Sequence, residues 1–302
     1  MNALVGIGLK ALAGGAIGYW AKKRGVVGDR FAVDINNLLL AIVAPCAMLS
    51  SASQEFSETL AADLGLTAVI TAAYFLIASP ALALISMTLP LPLGDRRMFA
   101  SLCVMANTGF IGFPVAYELF GSRGLLCATA VNLLYNLVAF TAGIRWLDTN
   151  EPLRLRGVLL NPPLVSSVIA IGLFFAPFRL PSAVQGVFDM IGGTMTPLAL
   201  MIVGLSLAET YLPELVRNLW GYAVSAIRLL VLPSLVWAVL WLIGVDGLGA
   251  QVAVVMAALP CGTFNVILGA RYDTGYRFAV HSVVQSNVLM FATLPLILLL
   301  PL

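Results

Sequence analysis

Two stretches of this sequence combine residues that break helices with residues that form hydrogen bonds. One is Asn107-Thr108-Gly109-Phe110-Ile111-Gly112-Phe113-Pro114, and the other is Leu259-Pro260-Cys261-Gly262-Thr263-Phe264-Asn265. Each lies near the middle of an otherwise apolar run. Proline removes a backbone donor and crowds the preceding turn, and glycine admits irregular dihedrals. Together they predict local unwinding of two helices. Unwinding frees N–H groups and creates half-helix N-termini, which attract an anion. Asn107 and Asn265 can add side-chain hydrogen bonds. One such stretch alone reads as a proline kink packed by small residues. Two in corresponding places favour a binding site.

The remaining reactive residue types narrow the chemistry. Arg228 sits about ten residues inside an apolar run, roughly 15 Å deep at the helical rise. An arginine there costs about 2.5–3.5 kcal/mol on insertion scales, so it must face protein or water. It is a counter-charge for an anion, a fixed charge standing in for a bound cation, or a donor to carbonyls freed by Pro233. Lys10 interrupts the first apolar run and is expected to snorkel to the interface. The polar set Asn132, Asn136, Gln285 and Asn287, joined by Tyr135, reads either as an ion site or as hydrogen bonds between helices. His281, the one histidine, has no G-x-S-x-G partner motif, and no H-E-x-x-H is present, so an enzyme is not expected. Cys46, Cys103, Cys127 and Cys261 form no C-x-x-C pair, which argues against a zinc site or disulfide framework. They read as small packing residues. Met105, Met195, Met201 and Phe110 read as helix packing too. No metal site or cofactor is expected.

These residues need elements to hold them, and the composition says which. Of 302 residues, 61% are hydrophobic and 10% charged, and the mean hydropathy is +1.00. Soluble domains are about 45–50% apolar and about 25% charged, so a water-soluble globule is excluded. At roughly 20 residues per span the length accommodates about ten helices. Hydropathy and breakers place them near 3–21, 32–52, 64–88, 97–118, 124–146, 157–176, 184–207, 218–243, 248–270 and 277–301. The first run is not expected to be a cleaved signal peptide, because its basic cluster follows the apolar stretch.

Charge then orients the chain. The loops after the odd-numbered runs carry twelve basic residues: Lys22, Lys23, Arg24, Arg30, Arg96, Arg97, Arg145, Arg154, Arg156, Arg217, Arg271 and Arg277. The opposite loops carry Arg123 and Arg179. By the positive-inside rule both termini are expected on the non-cytoplasmic side of the cytoplasmic (inner) membrane. No basic patch suggests a nucleic-acid partner.

An odd number of runs in each half requires the halves, if they are repeats, to be inverted. The expected repeats are 1–147 and 157–302. Pro45 and Pro197 recur in runs 2 and 7, the two broken stretches in runs 4 and 9, and Asn132/Asn136 against Gln285/Asn287 in runs 5 and 10.

With these motifs in place, the sequence resembles the auxin efflux carrier family of membrane transporters. The resemblance rests on Asn107–Pro114, on Asn161-Pro162-Pro163, on Gly193-Thr194-Met195-Thr196-Pro197-Leu198-Ala199-Leu200, and on Ala258-Leu259-Pro260, in that order along the whole chain. It departs from the familiar pattern at Cys261–Phe264. Bacterial members include malonate and other dicarboxylate carriers, and the plant PIN members export auxin. The long cytoplasmic loop of many plant members is replaced here by residues 147–157. The resemblance implies an all-α, ten-helix membrane fold related to bile-acid:sodium symporters. Helices 1, 2, 6 and 7 would form a scaffold, and helices 3–5 and 8–10 a transport core in which broken helices 4 and 9 cross. Carried over, it puts Asn107, Thr108, Gly109, Pro114, Pro260, Gly262, Thr263 and Asn265 at the substrate site. Antiporters of the related fold rely on buried acids. No carboxylate here lies at mid-depth, with Asp34, Glu118, Asp189, Glu209 and Asp273 near run ends or loops. The expected function is secondary transport of a small organic anion. The alternatives are a carrier of cations or neutral metabolites, or a passive channel. The coupling ion, proton or sodium, stays open. The expected partners are the anion, the lipid bilayer and, as a candidate, a second copy of the chain.

Overall fold

A computed structural model of the chain describes residues 2–28, 30–148, 161–176, 180–209 and 217–301. Arg154, Arg156 and Arg179 lie outside the described residues, as do the side chains of Lys10 and Glu209. The described residues are helical almost throughout: α1 (Asn2–Lys23), α2 (Phe31–Ser51), α3 (Glu58–Met87), α4 (Leu93–Val104), α5 (108–120), α6 (122–147), α7 (Pro162–Phe175), α8 (Ser182–Ala208), α9 (Leu219–Leu242), α10 (Leu248–Ala257), α11 (Phe264–Arg271) and α12 (Tyr276–Ile297). Every apolar run read from the sequence contains helix. Six segments are long and apolar enough to cross a membrane by length and composition: Phe31–Ser51, Glu58–Met87, Thr108–Leu147, Ser182–Ala208, Leu219–Leu242 and Tyr276–Ile297. The shorter apolar helices include Pro162–Phe175 and Leu248–Ala257.

Residues 108–147 cannot be one straight helix. Forty residues would reach about 60 Å at 1.5 Å per residue, twice the roughly 30 Å of a hydrocarbon core. Gly121, at φ +64 and ψ −159, turns the chain between α5 and α6, in a conformation that costs glycine little.

Local signals set where the other helices start. Ser57 caps α3 by accepting from the Leu60 N–H at 3.2 Å, and Asn218 caps α9 by accepting from the Gly221 N–H at 3.1 Å. Pro162 and Pro163 occupy the first turn of α7, where a missing donor is not needed.

Four helices contain a widened π-type turn: Leu39–Val43, Thr108–Gly112, Ala139–Gly143 and Ile227–Val231. Three of them end two residues before a proline, namely Pro45, Pro114 and Pro233. A proline ring clashes with the carbonyl four residues back. The wide turn relieves this, with Phe113 N–H bonding Thr108 O and Leu232 N–H bonding Ile227 O. These prolines bend helices without interrupting them.

Glycine allows the closest helix contact. α1 packs along the second half of α8. An ideal Cβ on Gly204 would stand 1.9 Å from Gly15 O, and one on Gly18 would stand 2.1 Å from Met201 O. Backbones in such contact are typical of helix pairs in membranes. The outward faces are apolar, with Leu76 and Leu242 each 77% exposed. Such surfaces suit lipid and not water.

Gly204→Ala should therefore overpack this contact, at a cost of about 1–3 kcal/mol. Gly172→Ala is the matched control, because a Cβ there meets nothing within 4 Å. Thermal unfolding in detergent should drop by several degrees for Gly204→Ala and stay level or rise for Gly172→Ala. Equal midpoints would show that the α1–α8 contact is not tight.

Candidate functional site

α4 stops at Val104 and α5 resumes at Thr108, while α10 stops at Ala257 and α11 resumes at Phe264. The two linkers meet as a single antiparallel bridge, Ala106 opposite Cys261. The Asn107 N–H donates to Pro260 O at 2.8 Å, and the Gly262 N–H donates to Met105 O at 2.8 Å. Each break thus satisfies backbone groups that the other leaves open. Cys261 N–H is held by Ser286 Oγ of α12 at 3.1 Å.

The first break lies earlier than the sequence suggests. The motif predicts unwinding across residues 107–114, but it occurs at 105–107, where Met105 is extended. The reason is the cap. Asn107 Oδ1 accepts from the Phe110 N–H at 3.1 Å, so helix restarts at once, and Pro114 merely follows a widened turn. The second break does centre on its proline and glycine. Gly262 is required there, since a Cβ would sit 2.8 Å from Ala106 O and 3.0 Å from Tyr135 Oη.

Two side chains lock the crossing. Asn265 is fully buried. Its Oδ1 accepts from Ser101 Oγ at 2.6 Å, and its Nδ2 donates to Gly262 O at 2.9 Å and Met105 O at 3.4 Å. Arg228 is 1% exposed. Its Nε donates to Leu259 O at 2.9 Å, Nη2 to Met256 O at 3.3 Å, and Nη1 to Cys103 O at 3.4 Å and to Tyr74 Oη at 2.5 Å. Tyr74 Oη in turn donates to Val104 O at 3.2 Å. These carbonyls come from the breaks in both helices and not from Pro233. The proline acts differently: its widened turn, Ile227–Val231, contains Arg228. The C-terminal ends of α4 and α10 carry partial negative charge, and the guanidinium faces both.

The N-terminal ends of α5 and α11 border a cavity of about 360 Å³. Asn107, Thr108, Gly109 and Phe110 line it from one break, and Gly262, Thr263 and Phe264 from the other. Asn132, Tyr135, Asn136 and Phe140 of α6, Asn37, Leu40 and Ala41 of α2, Asn161–Pro163 at the start of α7, and Ile267 of α11 complete it. Its described lining holds no charged side chain. The floor is buried at Asn107, Thr108, Asn132 and Gly262, while Asn37, Ala41 and Ile267 at the rim are exposed. Thr108 Oγ1 donates to Asn132 Oδ1 at 3.0 Å, and Asn136 Nδ2 donates to Asn132 O at 2.7 Å. The rings of Phe140 and Phe264 meet at 4.8 Å between centroids, tilted by 59°. A void of about 20 Å³ between Tyr135, Thr108, Tyr74 and Arg228 lies beside the cavity floor, room for one water.

Of the eight residues placed at the site by resemblance, Asn107, Thr108, Gly109, Gly262 and Thr263 line the cavity. Pro114, Pro260 and Asn265 are buried behind it. Asn132, Tyr135 and Asn136 line it too, whereas Gln285 packs against Gly221 of α9 and Asn287 lies elsewhere on α12. Gln285 and Asn287 do not line the cavity. The sequence reading missed Asn37, and also Leu40, Phe140 and Ile267, which lie in ordinary apolar patterning with no local signal. It also missed Ser101 and Tyr74, whose partners are distant in sequence.

The sequence matches the family described as membrane transport proteins over residues 15–155 and 151–298. An uncharacterized transporter of Methanocaldococcus jannaschii is 27% identical over 277 residues, covering 88% of this chain and 89% of its own length. An uncharacterized transporter of Escherichia coli is 22% identical over 299 residues, with 93% and 92% covered. A Rhizobium meliloti protein provisionally named a malonate transporter is 28% identical over 139 residues, 46% of this chain and 43% of its own. With both halves of its helical architecture matched, the chain belongs to the membrane transport protein family, that of the auxin efflux carriers.

Proposed function

We propose that this chain is a secondary carrier of small organic anions, which bind in the cavity at the crossing. One observation carries the reading. The cavity floor is built from two half-helix N-termini, while the opposite ends of the broken helices are neutralised by Arg228. N-terminal helix ends favour a carboxylate, and they do so here without a basic side chain in the lining. Arg228 then acts as a fixed cation that holds the crossing together. Its donors are already committed to protein carbonyls and Tyr74, which argues against direct contact with cargo.

The lining also bears on the type of anion. Polar side chains such as Asn107, Thr108, Asn132, Asn136 and Thr263 share the lining with apolar Leu40, Phe110, Phe140, Phe264 and Ile267, and none of the described lining is charged. That arrangement suits one carboxylate on an apolar body better than a compact dicarboxylate. A second carboxylate would find no cationic side chain in the described lining, and burial of an unpaired charge is costly.

The mechanism follows from a second cavity. About 490 Å³ of space lies among Ser50, Ser53, Gln54, Tyr117, Ser122, Gln185 and Asp189, in the other half of α2 and α5. Packed residues such as Met48 and Phe113 lie between the two cavities along these helices. We read the two cavities as alternating approaches to one site. Helices 3–5 and 8–10 of the ten-span reading move as a core against a scaffold of 1, 2, 6 and 7, in elevator-like or rocking fashion. The repeats are 1–147 and 157–302, inverted. The crossing cavity opens toward the end that carries Arg97, Arg145 and Arg271. By the positive-inside rule that end faces the cytoplasm, in the inner membrane, with both termini on the far side.

Asn107→Ala should raise the Kd of a bound carboxylate about tenfold, equivalent to about 1.4 kcal/mol, with the protein still folded in the membrane. Scintillation proximity binding measures this, and unchanged affinity would reject the assignment. In a thermal-shift panel, aromatic or branched monocarboxylates should stabilise the protein more than malonate does. The reverse order would favour a dicarboxylate carrier. Arg228→Gln should abolish uptake into proteoliposomes, Arg228→Lys should retain part of it, and millimolar guanidinium should restore part of the activity of Arg228→Ala. Full uptake in the Gln variant would show that the fixed charge is dispensable.

A further inference from the structure

A groove of about 200 Å³ runs between α3, α4 and α6, lined on α6 by Val138, Ala142, Gly143 and Trp146 and not by the residues of the crossing cavity. Its walls are apolar apart from Ser79 and Ser101, and include Pro80, Ala83, Val104, Ala142 and Trp146. It sits in a membrane protein among lipid-facing side chains such as Ile77 and Leu84, and Pro80 and Ala142 in its own wall are exposed. One end abuts the crossing, where Val104 and Met105 line it. Arginines lie beyond the other end, outside the lining itself. Arg97 stands one helical turn from Ser101 on the same face of α4, and Arg145 lies between Ala142 and Trp146 on α6. The two helix ends are tied together: Trp146 Nε1 donates to Arg97 O at 2.9 Å, and Arg97 Nη1 donates to Leu147 O at 3.1 Å. Arg96 joins them, its Nη1 donating to Met87 O at 3.0 Å. Among the described residues, Asp95 and Asp148 lie near this end. Asp148 already has interactions of its own, and Asp95 Oδ1 points toward Gly275. Arg145 is exposed.

We propose that this groove is a binding site for one anionic phospholipid. An acyl chain fills the apolar slot, and the phosphate sits at Arg145 and Arg97. A basic pocket at the end of membrane helices recruits anionic headgroups, and a buried acyl chain gains from every methylene removed from water or left unpacked. The bound chain would brace α4 against α6 directly behind Val104 and Met105. It would thus support the crossing from outside the cargo cavity, whatever that cargo is.

Native mass spectrometry of the detergent-solubilised full chain tests this with dioleoyl phosphatidylglycerol and dioleoyl phosphatidylcholine as probes. The expected result is one retained phosphatidylglycerol per chain, favoured at least fivefold over phosphatidylcholine. Arg145→Gln should reduce that preference to less than twofold, and Ala142→Phe, which fills the slot, should remove the retained lipid. If Ala142→Phe does not fold, Ala83→Phe on the facing wall makes the same test. Equal retention of the two lipids by the unaltered chain would overturn the proposal. So would a phosphatidylglycerol adduct that survives a folded slot-filling variant.

Discussion

Two helices broken midway leave four helix ends, and the structure depends on how those ends are sorted. The carbonyl ends of α4 and α10 converge on the Arg228 guanidinium. The N–H ends of α5 and α11 face the opposite way, into a cavity. Water would normally satisfy such groups, and the interior of a membrane protein has little of it. The crossing replaces it with a two-residue bridge, an asparagine cap and one buried arginine. The site of the cation and the cavity therefore arise from the same event. Remove the charge of Arg228 and two sets of helix-end carbonyls are left facing each other.

Much of the surrounding fold serves to keep this arrangement in register. Pro233 widens the turn that contains Arg228, and Pro114 widens the turn that follows the Asn107 cap. Asn265 and Ser101 join the two broken helices from the side. Gly262 lets Ala106 O and Tyr135 Oη approach where any side chain would collide. Gly112 does the same for Met256 and Leu259, since a Cβ there would lie 2.7 Å from Leu259 Cδ1. Small residues and prolines thus act here through the contacts they permit, and the large apolar residues fill what remains.

The helices and the two unusual stretches were legible in the sequence because hydropathy and helix breakers are local signals. Gly121 was legible as a gap between apolar runs, and Arg228 as a charge too deep to be free. What could not be read was pairing. Nothing near Arg228 in sequence tells that its partners are Cys103, Met256 and Leu259, and the nearby Pro233 suggested the wrong carbonyls. The first break was read too late because glycine and proline mark where a helix can yield, whereas Asn107 decides where it restarts. Gln285 and Asn287 looked equivalent to Asn132 and Asn136 by position. Helical phase sends Gln285 toward α9, away from the cavity. The cavity walls at Leu40, Phe140 and Ile267 carry no local mark at all, because an apolar residue facing a cavity and one facing lipid are written alike.

The most direct test of this account is to locate an anion. A structure determined with a bromine-labelled carboxylate would place the label by its anomalous signal. The account predicts the carboxylate against the first turns of α5 and α11, with the label among Phe140, Phe264 and Ile267. A carboxylate bound to Arg228 itself, or seated only in the cavity beside Asp189, would contradict it.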